Sequence, residues 1–347
     1  MTLTQFVAGT RDQLAGAWPV TRSFVSTRHG GVPGATLQAA LSGCGWRSER
    51  VLPTVSDTAV VMVSGPDGQA GVLKVAASER GMASLSQEWD VLGRLWSEER
   101  LRAWRGLLPM PLTAGDMDGG SFLLVSRLTG RDGRQVRPAA AGRLTSAAFG
   151  AIAPLHRLGQ TMRVPGTALL DQWVNEPADR VRAAVGGQRV IGWLAAALRA
   201  ELTAGPLPLG WTHGDFYPGN VLVGDRGQVT GIIDWSQARP ADLVPLDLAF
   251  WLLAAPAAGR PREFGGRVAA RLASGQSWTP DEICLLQAVM TGQPLTGRAL
   301  LMLAWLRHVA ANLAKSARYA SSPVWSRRNV LPVLRRLDDM AWAGEGL

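Results

Sequence analysis

The chain has 347 residues, 47% of them hydrophobic and 18% charged, and a formal net charge of +9. This length suffices for two lobes and a large core, and no low-complexity block marks a disordered protein. The positive charge is nearly all scattered arginine, since Lys74 and Lys315 are the only lysines, and no RNA-binding motif, zinc spacing or basic helix supports a nucleic-acid partner.

Cys44 and Cys284 stand far apart without metal-ligand neighbours, and read as free thiols of a reducing compartment. The N-terminal residues lack the basic and apolar regions of a secretory signal. The longest apolar runs, such as residues 248–259, are too short to span a bilayer. A cytoplasmic protein is expected.

Residues 1–50 carry the least pattern. Short helices are expected over residues 4–14 and 35–41, with His29 in a surface loop between them. Residues 58–63 and 71–75 are β-rich runs flanking Ser-Gly-Pro-Asp-Gly, a hairpin turn signal. Lys74 lies inside the second run, where a lysine needs a partner or an exposed face. Residues 80–98 read as a helix with Leu85, Trp89, Leu92, Leu95 and Trp96 as its apolar positions. Glu88 falls on or beside that inward face, three residues after Leu85 and four before Leu92, and a carboxylate there needs a cation. Residues 121–127 form another apolar strand.

Helices are expected over residues 139–158, 169–174, 177–185 and 189–202, before Pro206 and Pro208 break the chain. The next stretch, WTHGDFYPGNVLVGDRGQVTGIIDW at residues 211–235, carries the chemistry. Val221 to Val223 and Val229 to Ile233 are strands joined by a Gly-Asp-Arg-Gly turn. The hairpin brings Asn220, before the first strand, beside Asp234, after the second. An Asn carbonyl and an Asp carboxylate so placed suit Mg²⁺, a hard cation that takes oxygen ligands and keeps phosphate and water in its shell. Asp215, five residues before Asn220, is placed to accept the proton of an attacking hydroxyl.

Catalytic Asp, Asn five residues on and a strand-end Asp is the spacing of the protein-kinase apparatus. With His213-Gly214-Asp215, Asn220 and Ile232-Ile233-Asp234-Trp235 in order and at the right gap, the chain resembles the aminoglycoside phosphotransferase and choline kinase family of small-molecule kinases. The resemblance runs over about residues 51–253, with specific motifs at 211–235. It implies an α+β, bilobal protein-kinase-like fold: a small β-rich lobe over residues 1–126, including an N-terminal extension 1–50, and a larger, mostly helical lobe over 127–347.

The implied reaction moves the γ-phosphoryl group of ATP or GTP to a hydroxyl of a small molecule such as a sugar, nucleoside or antibiotic. Asp215 is then the catalytic base, and Asn220 and Asp234 hold Mg²⁺. The resemblance pairs Lys74, which binds nucleotide phosphate, with Glu88. It sets a phosphate-covering loop at Ser56 to Thr58, although no glycine triplet stands there. It makes Val125 to Leu128, Ser126 and Leu128 included, the hinge against the nucleotide base. His213 and His156 brace the catalytic loop, and Asp247 opens the following helix as a loop-bracing residue.

Residues 260–340 should be helical, most clearly 300–318, where Arg307, His308 and Lys315 interrupt an apolar pattern. From Trp251 onward, 11 Arg and 1 Lys face 6 acidic residues, an expectation of a neutral or anionic acceptor over a polycationic one. The pattern also fits a catalytically silent kinase-like binding protein, or an enzyme that modifies a protein. The intact Lys, Glu, Asp, Asn, Asp set argues against the first, and the lack of docking tails against the second.

Overall fold

The computed structural model describes residues 32–343 apart from 55–56, 186–187, 256–262, 288–294 and 316. The expected helix over residues 4–14, His29 and Ser56 lie outside the described residues. The helix expected at 35–41 is present as α1, Gly34–Cys44.

Five antiparallel strands follow: β1 Arg47–Leu52, β2 Thr58–Ser64, β3 Ala70–Ala76, β4 Pro111–Met117 and β5 Gly120–Ser126. They form one sheet in the order β1-β2-β3-β5-β4. Strand alternation sorts β3 into two faces. Leu73 and Val75 join Val32, Leu37, Ala40, Val61 and Val63 in a core between the sheet and α1. Val72, on the opposite face, packs against the main core, and Lys74 shares its parity. That face is covered by α2, Glu79–Ser97, which starts where the Ser78 hydroxyl accepts the Gly81 N–H at 3.1 Å. Its buried residues Leu85, Glu88, Val91, Leu92 and Leu95 repeat at helical spacing.

A two-residue strand β6, Arg131–Asp132, leads to α3, Ala141–Arg157, and β7, Thr161–Arg163. Helical segments follow from Thr167 to Asn175, then α4 Glu176–Val185 and α5 Gln188–Thr203. Next come β8 Leu207–Thr212, β9 Val221–Val223, β10 Val229–Ile232 and β11 Arg239–Leu243. Two small antiparallel sheets result, β10-β9-β6 and β11-β8-β7. The rest is helical: α6 Pro245–Ala254, α7 Phe264–Ser274, α8 Pro280–Gln287, α9 Gly297–Lys315, a turn at Ala317–Ala320, α10 Pro323–Asn329 and α11 Leu331–Ala343.

The α+β, two-part kinase-like architecture is therefore the one expected. Helix α9 is buried along most of its length and anchors the helical part. No helix among the described residues is long and apolar enough to cross a membrane.

Candidate active site

Five of the residues singled out from sequence come together where the large sheet meets the β9–β10 hairpin. Lys74 Nζ donates to both oxygens of Glu88, at 2.8 and 2.6 Å, and lies 3.4 Å from Asp234 Oδ1. Glu88 is almost fully buried, and its Oε1 also accepts the backbone N–H of Trp235 at 3.3 Å. One carboxylate thus ties strand β3 and helix α2 to the residue after Asp234. Burial pulls the Lys74 ammonium down, but Glu88 and Asp234 outweigh it and hold the group above its ordinary value.

Asp234 follows β10 in the left-handed region at φ 67°, the one non-glycine residue with positive φ among those described. This conformation is uncommon for a side-chain-bearing residue and concentrates at functional sites. Burial raises the Asp234 pKa, and Lys74, Lys315 and His213 together carry it well below the usual carboxylate range. Across the hairpin, Ile233 N–H donates to the Asn220 carbonyl at 2.9 Å, which sets Asn220 beside Asp234. The Asn220 amide nitrogen donates to the Asp215 carbonyl at 2.9 Å and lies 3.3 Å from Asp215 Oδ2. Its side-chain oxygen remains for a cation. Burial pushes the Asp215 carboxyl up, against the pull of Lys315 and His213.

The loop between β8 and β9 is held from beneath. Asp247, fully buried in the first turn of α6, accepts the backbone N–H groups of His213 at 2.7 Å and Gly214 at 2.9 Å. The His156 Nε2 lies 2.9 Å from the same carboxylate. Burial raises the Asp247 pKa, but the hydrogen bonds and charge of His156 and His213 leave it lowered. His213 Nδ1 accepts the Asp215 N–H at 3.3 Å, so Nε2 carries the proton and donates to the Ile233 carbonyl at 3.0 Å. His213 and His156 therefore sit where bracing was expected of them. Trp235 stacks edge-on against His213 with ring centroids 4.6 Å apart.

Three further residues lie away from this cluster. Thr58 opens β2 opposite Ala76. Ser126 ends β5, where its N–H donates to the Met110 carbonyl at 2.9 Å and its hydroxyl accepts the Met110 N–H at 2.8 Å. Leu128 follows it and packs on Gly231 of β10.

The strand lysine, its buried glutamate and the three polar groups of the hairpin and its loop form one constellation. A model of the phosphotransferase enzyme family, APH, matches residues 50–286. The chain belongs to that family. No curated protein matches it.

Solved structures share the APH fold at low identity. A thermostable variant of aminoglycoside phosphotransferase APH(4)-Ia, in ternary complex with ADP and hygromycin B, is 13% identical with a TM-score of 0.59, over 89% of this chain and 99% of that one. A putative aminoglycoside phosphotransferase from Ralstonia eutropha is 15% identical with a TM-score of 0.55, over 90% and 97%. APH(3'')-Id from Streptomyces rimosus is 21% identical with a TM-score of 0.51, over 79% and 96%.

One charged group that acts on these carboxylates escaped the sequence reading. Lys315, at the end of α9, is a charge partner of both Asp215 and Asp234. The surrounding protein's desolvation pulls its pKa down, and the two carboxylates lift it above its ordinary value. The available signal was scarcity, since Lys315 is one of two lysines in an arginine-rich chain.

The charge-based preference for a neutral or anionic acceptor needs correction. Four of the eleven arginines from Trp251 onward are neutralised in ion pairs, Arg271–Glu282, Arg307–Asp242, Arg328–Glu263 and Arg336–Asp339. The cleft itself carries Asp215 and Asp234, and structural relatives with this fold are named for aminoglycosides. Net charge therefore does not describe the acceptor side.

Proposed function

We propose that this APH-family chain transfers the γ-phosphoryl group of ATP or GTP to a hydroxyl of a small molecule. The observation that carries the reading is the joining of Lys74, Glu88 and Asp234, at 2.6 and 3.4 Å, beside a loop where Asn220 holds Asp215. Lys74, fixed by Glu88, neutralises nucleotide phosphate. The set suits Mg²⁺: Asp234 is kept ionised, and Asn220 turns its nitrogen to Asp215 and keeps its oxygen for a cation. Among the described residues no group of three or more His, Cys, Asp or Glu could hold a metal ion alone. Asp234 and Asn220 would thus leave the other positions to phosphate and water. Bound there, Mg²⁺ supplies charge neutralisation.

Asp215 orients the acceptor hydroxyl and accepts its proton. Its raised pKa strengthens it as a base, and positioning contributes more than proton abstraction in phosphoryl transfer. Residues 1–126 would carry the nucleotide and 127–347 the acceptor. Thr58, with Ser56, would lie over the phosphates. The Ser126 N–H and hydroxyl are engaged with Met110, so the contact to the base falls to Leu128 and the remaining hinge backbone. A cytoplasmic setting accords with nucleotide use.

The test is ADP release with Mg-ATP and Mg-GTP against pooled acceptors: aminoglycosides, macrolides, nucleoside antibiotics, sugars, amino sugars and small amino alcohols. Acceptor-dependent release that vanishes in Asp215→Asn establishes a small-molecule kinase, and division of the active pool names the class. Nucleotide binding without turnover in any pool favours a catalytically silent binding protein.

A further inference from the structure

Lys74 has two carboxylate partners, and they hold it unequally. Both oxygens of Glu88 accept from its ammonium, at 2.8 and 2.6 Å, and Asp234 Oδ1 accepts at 3.4 Å. Glu88 is buried and also engaged by the Trp235 N–H, whereas the Asp234 side chain is 35% exposed and is the carboxylate of this trio open to the cleft. The lysine backbone is fixed too. It lies in β3, opposite Val60 of β2 on one side and Leu123 of β5 on the other. Anchored by its strand and by Glu88, the ammonium stays close to Asp234 whichever way that carboxylate turns.

This contact bears on any cation held by Asp234. Mg²⁺ sits about 2.0–2.1 Å from its oxygen ligands. At either oxygen of Asp234 it would stand close to a fixed positive charge, in a partly buried setting where like charges repel more strongly than in water. Against that repulsion the protein offers one carboxylate, already shared with the ammonium, and the neutral side-chain oxygen of Asn220. Nucleotide phosphate reverses the balance. Its oxygens bring negative charge between the ammonium and the dication, and ligands for both.

We propose that Lys74 is an electrostatic gate on the metal site: its contact with Asp234 keeps a free divalent cation out and admits one only together with nucleotide phosphate. The inference deepens the kinase reading above and rests on it. Lys74 exchanges its long contact with Asp234 for phosphate oxygen when the nucleotide arrives, and keeps Glu88 throughout. The released Asp234 carboxylate then faces the cation that the phosphates carry. Metal and nucleotide therefore enter as one complex, and Lys74 sets that order besides neutralising phosphate.

Metal binding without nucleotide tests this, and needs no knowledge of the acceptor. Mn²⁺, which also takes oxygen ligands, is titrated into the protein and the free ion is followed by its paramagnetic resonance. The native chain is compared with Lys74→Met/Glu88→Met, which removes the ammonium without leaving a buried carboxylate unpaired. The double variant should bind Mn²⁺ roughly tenfold or more tightly than the native chain, because one repelling charge is gone. Adding Asp234→Asn should abolish that gain, which locates it at this site. Lys74→Gln keeps a neutral donor for Glu88 and should shift affinity in the same direction, so it serves as the test where the double variant does not fold. Equal Mn²⁺ affinity in the native chain and the folded variants, or a gain that survives Asp234→Asn, overturns the gate alone. ADP should raise the affinity of the native chain for Mn²⁺. Failure of the native chain to bind Mn-ADP in calorimetry overturns the kinase reading and the gate with it.

Discussion

Glu88 holds Lys74 through both carboxylate oxygens, and the two lie on elements that meet only in the folded protein, α2 and β3. Removing one member of a buried pair leaves the other charge uncompensated, a loss of about 3–5 kcal/mol. Glu88→Met should fall at the lower end of that range, because Lys74 keeps Asp234 at 3.4 Å. The double variant Lys74→Met/Glu88→Met should recover most of the stability in urea unfolding while losing nucleotide binding. Equal destabilisation by the double and single variants would show that packing, and not charge, dominates there.

Asp247 tests the loop from below. Asn in its place offers one acceptor oxygen to three donors, the His213 and Gly214 amides and the His156 ring. A stranded buried donor costs about 1–3 kcal/mol, so Asp247→Asn should lose at least that much stability. Turnover should drop more than nucleotide affinity, since Lys74 and Glu88 are held by other elements. A Mg-ADP titration beside the acceptor assay separates the two effects.

These two relationships differ in how far the sequence displayed them. The Lys74 and Glu88 positions follow from strand alternation and helical spacing, both local patterns, and the β9–β10 hairpin follows from its turn residues. The edge strands β1 and β4 carried no such pattern. Arg47 to Arg50 are exposed, and β4 opens on proline and contains a glycine, so neither strand reads as alternating apolar and polar. Lys315 shows the opposite limit. Its helix was legible, but its influence on the charges of Asp215 and Asp234 depends on how α9 packs in the fold, which no local spacing encodes.

Gly214 offers a steric test. It sits at φ 78°, and a Cβ there would lie 2.2 Å from the Gln237 carbonyl oxygen, a backbone atom. Gly214→Ala must therefore displace the loop that carries Asp215 or the segment after Asp234. We expect a loss of about 1–3 kcal/mol and a turnover deficit of tenfold or more, from the misplaced carboxylate. Native-like turnover would mean that the loop relaxes without moving Asp215.

The pH dependence of stability turns on His308. Burial, helped by the Lys315 charge, pushes its pKa from 6.5 to about 3, so the ring is neutral in the fold at pH 7. Its folded value lies below its unfolded one, and between the two the unfolded chain binds the extra proton. Stability therefore rises with pH across that window, and is lost as pH falls below about 6.5, by up to ~1.4 kcal/mol per pH unit. His308→Phe keeps a ring against Phe264 and removes the proton site. Urea unfolding at pH 6.5 and 5 should show the native chain losing ~2 kcal/mol more than the variant. Parallel losses would mean that His308 does not carry the acid sensitivity, whatever the stability of either protein at neutral pH.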